Sequence, residues 1–83
     1  MNINENKLHQ IAARFINNEP INANITGSEI QIETLNILLN VSKELMQEIK
    51  KSNMDYNKIT SLIEDKKRIT KKFQNLTGIT WRL

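Results

Sequence analysis

The stretch EIQIETLNILLNVSKELMQEIKKSNMDYNKITSLIEDKKRITKKFQNLTG, residues 29–78, decides the fold. Leu35, Leu38, Ser42, Leu45 and Ile49 recur in alternating steps of three and four, the stripe of an amphipathic helix. After the polar break Ser52-Asn53-Met54-Asp55, the same rhythm resumes at Ile59, Leu62, Lys66, Ile69, Phe73 and Leu76, with Tyr56 and Ile63 on its flank. The spacing predicts two helices, over about 28–52 and 55–77, and so short a connection folds them antiparallel. Asp55 is placed to cap the second of them. Lys66 stands in the seam, a polar intrusion of the kind that fixes register at some cost in stability. Gly78 and Ile79 read as a Schellman ending, with Ile79 folding back onto Phe73.

The first arm of this hairpin is apolar on more than one side. Ile32, Leu39 and Met46 form a row seven apart, and Ile30, Ile37 and Val41 add a third face. Two neighbouring helices cannot cover all of it, so self-association through Ile30, Ile37 and Val41, as a homodimer or larger helical bundle, is expected.

Working outward towards the N-terminus, residues 18–27 carry Asn, Pro and Gly, which is turn chemistry. Two capping boxes compete to start the second helix. Thr26 with Glu29 brings the staple Ile25–Ile30, and Ser28 with Gln31 offers the same box two residues on. Before the loop, Leu8, Ile11, Ala12, Phe15 and Ile16 define a short first helix over about 4–17, capped by Asn2 or Asn4 and ended ahead of Pro20. Beyond Gly78, the tail Ile79-Thr80-Trp81-Arg82-Leu83 alternates apolar and polar residues and reads as extended. The expected architecture is one all-α domain: short N-terminal helix, loop, long antiparallel hairpin and extended tail.

Composition narrows the function classes. The absence of cysteine excludes thiolate metal sites, and a single histidine, His9, among 83 residues argues against a zinc cluster or a Ser–His–Asp site. Two separated glycines cannot make a phosphate-binding loop. The paired carboxylates Glu44/Glu48 and Glu64/Asp65 lie on open helical faces, where general acid–base chemistry has no pocket to tune it. No enzyme activity and no cofactor are expected. The N-terminus lacks a basic segment followed by an apolar run, and no stretch approaches the roughly 20 apolar residues that span a bilayer. The expected location is cytoplasmic, with no membrane partner. The abundance of Ile, Asn and Lys suggests an AT-rich genome, of a low-GC bacterium or of a phage or mobile element within one.

Charge is divided along the chain. Residues 1–49 carry six acids and three bases, and residues 50–83 nine bases and three acids. An acidic arm beside a basic one suits antiparallel pairing through flanking ion pairs. At 100° per residue, Lys67, Arg68, Lys71 and Lys72 fall within about a 140° arc opposite the seam, a candidate anion or nucleic-acid surface. No aromatic residue interleaves them to stack on bases. Trp81, the only tryptophan, sits with Arg82 in the tail, and both residue types are enriched at binding hot spots. The alternative for Trp81 is a plug over the open end of the hairpin.

The hairpin from Leu35 to Leu76 resembles those of flagellar export chaperones in its long antiparallel helices with apolar seams. The likeness covers about half the chain and rests on periodicity, so no functional residue is carried over from it. The expected function is a non-enzymatic protein-binding module, such as a phage- or mobile-element-encoded inhibitor or adaptor of a bacterial host protein, with Trp81 and Arg82 as partner anchors. A nucleic-acid binder using the basic face is one alternative. A nucleotide-sequestering oligomer or a small chaperone or scaffold is the other.

Overall fold

A computed structural model describes residues 1–83 as three helices with no strand: α1 (Glu5–Ile16), α2 (Glu29–Lys50) and α3 (Tyr56–Thr77). α2 and α3 form the antiparallel hairpin, and α1 packs on α2. The molecule measures 40 × 27 × 19 Å, the long dimension set by the hairpin.

The ends of the helices show how local chemistry chose among the available signals. Asn4 caps α1, its side chain accepting the Lys7 N–H at 2.8 Å. Asn2 is used otherwise: it exchanges two hydrogen bonds with Thr26, its backbone N–H to the Thr26 carbonyl at 3.2 Å and its Oδ1 to the Thr26 N–H at 3.1 Å. That clasp holds Thr26 outside the helix, so Ser28 caps α2 with Gln31 in a complete capping box. The staple that would accompany Thr26 does not form: Ile25 turns to the core while Ile30 is half exposed. A Cβ on Gly27 would come within 3 Å of both Gln31 Oε1 and Met1 Cγ, so a larger residue there would have to displace these two flexible side chains.

The Schellman motif belongs to α1 rather than α3. Asn18 adopts φ 59°, Glu19 N–H bonds to the Arg14 carbonyl at 2.8 Å and Asn18 N–H to Phe15 at 3.2 Å. α3 instead ends in the simpler left-handed cap, Gly78 at φ 75° with one bond to the Gln74 carbonyl. The Ile79 N–H that a Schellman ending would use is taken by Thr77 Oγ1 at 3.1 Å.

With its N-terminus clasped to Thr26 and its C-terminal Ile16 sharing a groove with Met46 and Ile49, α1 runs parallel to α2. The connecting loop therefore returns the full length of α1. The tail turns back after Gly78 and fills the space between α1 and α3, with Trp81 and the half-buried Ile79 and Leu83 inward and Thr80 and Arg82 outward. The core that results gathers Leu8, Ala12, Leu35, Leu38, Ile69, Phe73 and Trp81. Each Leu, Ile or Phe side chain among them contributes about 1.5–3 kcal/mol on burial. Gln31 closes this end further, donating to the Leu76 carbonyl at 2.9 Å, one of the unpaired acceptors of the last turn of α3.

Candidate protein-binding surface

The seven-residue core cluster occupies one end of the hairpin, and Leu45 and Leu62, each 8% exposed, continue it as a narrower buried seam towards the turn. α1 and the tail seal the half that contains Leu35, Leu38, Ile69 and Phe73, and towards the connecting turn the cover stops. There Met46, Ile49, Met54, Tyr56 and Ile63 are exposed, Ile49 by 49% and Tyr56 by 71%. Two adjoining grooves meet at Leu45 and Lys66, and the first continues along the outside of α3 as far as Gln74. One, of about 410 Å³, is lined by Leu45, Ile63, Lys66, Lys67, Thr70, Lys71 and Gln74. The other, of about 230 Å³, lies between the end of α1 and α2 and is bounded by the tail residue Leu83.

Trp81 corrects the sequence expectation. It is 6% exposed, packed edge-on to Phe73 at 6.1 Å and tilted against His9 at 5.6 Å. With its ring packed on Phe73 and out of water, the tail is a plug and Trp81 is not a surface anchor. Its neighbour Arg82 does stay outside, with an ion pair to Glu5 at 3.2 Å. The tail is also held by His9, whose Nε2 accepts the Arg82 backbone N–H at 3.0 Å while Nδ1 meets the Glu5 carbonyl at 2.8 Å. These two contacts require the neutral ring with its proton on Nδ1.

The basic face divides. Lys67 and Lys71 border the larger groove beside Lys66, whereas Arg68 pairs with Asp65 at 3.2 Å and Lys72 stands exposed outside it. Four cations in a row on the sequence are thus two groups in space. Lys66 was legible only as a break in the seam. It is half-buried and donates to the backbone oxygen of Leu83. Desolvation by burial lowers its pKa from the ordinary lysine value.

On the opposite side of the hairpin tip, Glu44 and Glu48 serve structure. Lys58 reaches both, at 3.5 and 3.3 Å, and Lys51 reaches Glu48 at 2.9 Å. The hydrogen bond from Lys51, with help from Lys58 and against the cost of burial, holds the Glu48 carboxyl below its ordinary range. The same contact with Glu48 raises Lys58. A general acid needs its carboxyl shifted the other way. No cluster of three His, Asp or Glu side chains is placed to hold a metal ion.

The residues expected to join subunits are split in exposure: Ile30 and Ile37 are 47% and 46% exposed, and Val41 is half-buried. No helix is long and apolar enough to cross a membrane. No family model matches the chain, and neither does any curated protein or solved structure.

Proposed function

We propose that this chain is a non-enzymatic protein-binding module whose docking surface is the open half of the hairpin. The observation that supports the reading is the run of exposed apolar side chains at Met46, Ile49 and Ile63 around grooves that the rest of the fold leaves uncovered. Interfaces draw their energy from a few such side chains that lose contact with water on docking. With Trp81 in the core, the anchors are aliphatic, and Arg82 is left as a rim charge. In its finer form the module is an inhibitor or adaptor of a bacterial host protein, carried by a phage or mobile element, for which the Asn-, Ile- and Lys-rich composition is the support.

Affinity capture from a low-GC bacterial lysate with the wild-type chain and with an Ile49→Glu/Ile63→Glu variant tests the reading. The expected result is a protein retained by the first bait and lost from the second, while circular dichroism shows equal helicity. Identical captures from both, or recovery of nucleic acid alone, would overturn it.

Self-association is a second reading, favoured by the exposure of Ile30 and Ile37 on the other flank of α2. A second copy covering that flank would leave the open grooves free. Light scattering at micromolar concentration is expected to give at least twice the 9.7 kDa of one chain. A mass that stays at one chain would remove this reading and leave the first intact.

A further inference from the structure

The neutral form of His9 ties the tail to α1, and histidine is the side chain whose ordinary titration falls between about pH 5 and 8. The half-buried ring lies between α1 and the tail, with Nδ1 donating to the Glu5 carbonyl at 2.8 Å and Nε2 accepting the Arg82 backbone N–H at 3.0 Å. Trp81 packs on the same ring, the centroids 5.6 Å apart. Beyond Ile79, Arg82 is the one tail residue whose backbone N–H has a partner in the protein. An imidazolium carries hydrogen on both nitrogens and keeps no lone pair to accept with. A proton on Nε2 would therefore turn the acceptor of the Arg82 N–H into a second donor aimed at it. The main-chain tether between tail and α1 would be lost, and two donors would be left face to face.

The charges around the ring do not make good that loss. Two charged side chains border the site, Glu5 of α1 and Arg82 of the tail, and they pair with each other at 3.2 Å. No carboxylate of α2 or α3 forms an ion pair with the ring. A charged imidazole would thus meet an acid already matched by a guanidinium. Attraction to the Trp81 π face acts the other way, but the two rings are tilted by 45°, and a cation–π contact needs the charge over the face. Trp81 stays packed on Phe73 and Leu83 stays bonded to Lys66. Losing the His9 bond therefore makes the tail open more often and does not detach it for good.

We propose that His9 is a proton-sensitive latch: a second proton on its Nε2 breaks the bond to Arg82 and raises the fraction of molecules whose tail is lifted off α1 and α3. The proton comes from solvent, which reaches the partly exposed ring. Leu83 bounds the smaller groove, so each opening also removes one wall of that groove. The latch stands on the contacts of the ring and does not depend on a partner docking there.

Hydrogen exchange followed by NMR on the whole chain tests the latch. The Trp81 indole N–H is buried and bonded to nothing, so it exchanges when the tail opens, and the Arg82 amide reports the same event. For both protons the protection, referred to an unstructured peptide at the same pH, is expected to be at least about tenfold lower at about pH 5 than at about pH 7.5. In His9→Gln, which gains no charge in this range, the change is expected to be less than about twofold. Arg82→Ala keeps the backbone N–H, removes the ion pair to Glu5, and is expected to keep the pH dependence. The ring nitrogen shifts at about pH 7.5 are expected to place the proton on Nδ1. A proton on Nε2, equal protection at the two pH values, or a rise on acidification would overturn the proposal. So would a fall that persists in His9→Gln, or one that vanishes in Arg82→Ala and so belongs to the Glu5–Arg82 ion pair. Should His9→Gln lose helicity, the wild type decides: the ring shifts and the tail protection must change with one midpoint, and separate midpoints would overturn the latch.

Discussion

The two ends of the hairpin are built from similar helices and treated oppositely. At the closed end, α1, the tail and the N-terminal clasp bury Leu35, Leu38, Ile69 and Phe73 on every side. At the turn end the same two seams continue through Leu45, Ile49, Ile59 and Leu62; Leu45 and Leu62 stay buried between the helices, while Ile49 and Ile63 on their flanks are exposed. A small chain has only enough material to close one half. What the difference teaches is where each kind of constraint acts: aromatic packing and backbone clasps at one end hold the fold, and a strip of aliphatics and lysines at the other is left for contact.

The largest effect that sharpens this contrast comes from truncating a ring at the closed end. Trp81→Ala is expected to cost about 3–5 kcal/mol in denaturant unfolding, the range for a buried aromatic, and in a domain this small that leaves little folded protein. Ile63→Ala at the open end is expected to cost less than half as much, because more than a third of the residue already faces water. Comparable costs at the two positions would erase the distinction.

How much of this was legible in the sequence follows from the physics of each part. The hairpin was legible because its seams repeat over several turns and need no knowledge of distant residues. The choice of helix caps was not, because Thr26 and Ser28 offer the same chemistry locally, and only the pairing of Asn2 with Thr26, twenty-four positions away, decides between them. The position of Asn18 in a Schellman motif was hidden for a related reason: Pro20 already explained the end of α1. Trp81 was legible as important and ambiguous in role, since a tail's destination depends on the space left between α1 and α3. The groove was half visible. Lys66 stood out in the seam, but the sorting of Lys67 and Lys71 from Arg68 and Lys72 required the placement of the tail beside α3.

A smaller effect tests the clasp at the closed end. Ser28→Ala removes one side of the capping box and is expected to cost about 1 kcal/mol, read as a lower melting temperature with unchanged helix content at room temperature. A null result would show that Gln31, through Leu76 and the N-terminus, holds the start of α2 without the cap.

The smallest effect belongs to the tip and is read by pH. Because Glu48 is held below its ordinary value in the folded chain, the unfolded chain binds its proton first as pH falls. Its contribution is therefore complete above the ordinary carboxylate range and disappears as pH drops through the lowered value. Lys58, raised by the same contact, contributes up to the ordinary lysine range and loses its contribution as pH rises through the raised value. Glu48→Gln is expected to lower stability at neutral pH and to converge with the wild type once pH falls below the lowered value, which flattens the acid side of the profile. An acid limb identical to the wild type would place the acid sensitivity elsewhere.

Native-state hydrogen exchange tests the division most directly, because it reads both ends in one experiment. The account predicts that amides of Leu35, Leu38, Ile69 and Phe73 exchange only through global unfolding, while those from Leu45 to Leu62 exchange through a lower-energy opening of the tip. Uniform protection along both arms, or slower exchange at the tip than at the closed end, would contradict it.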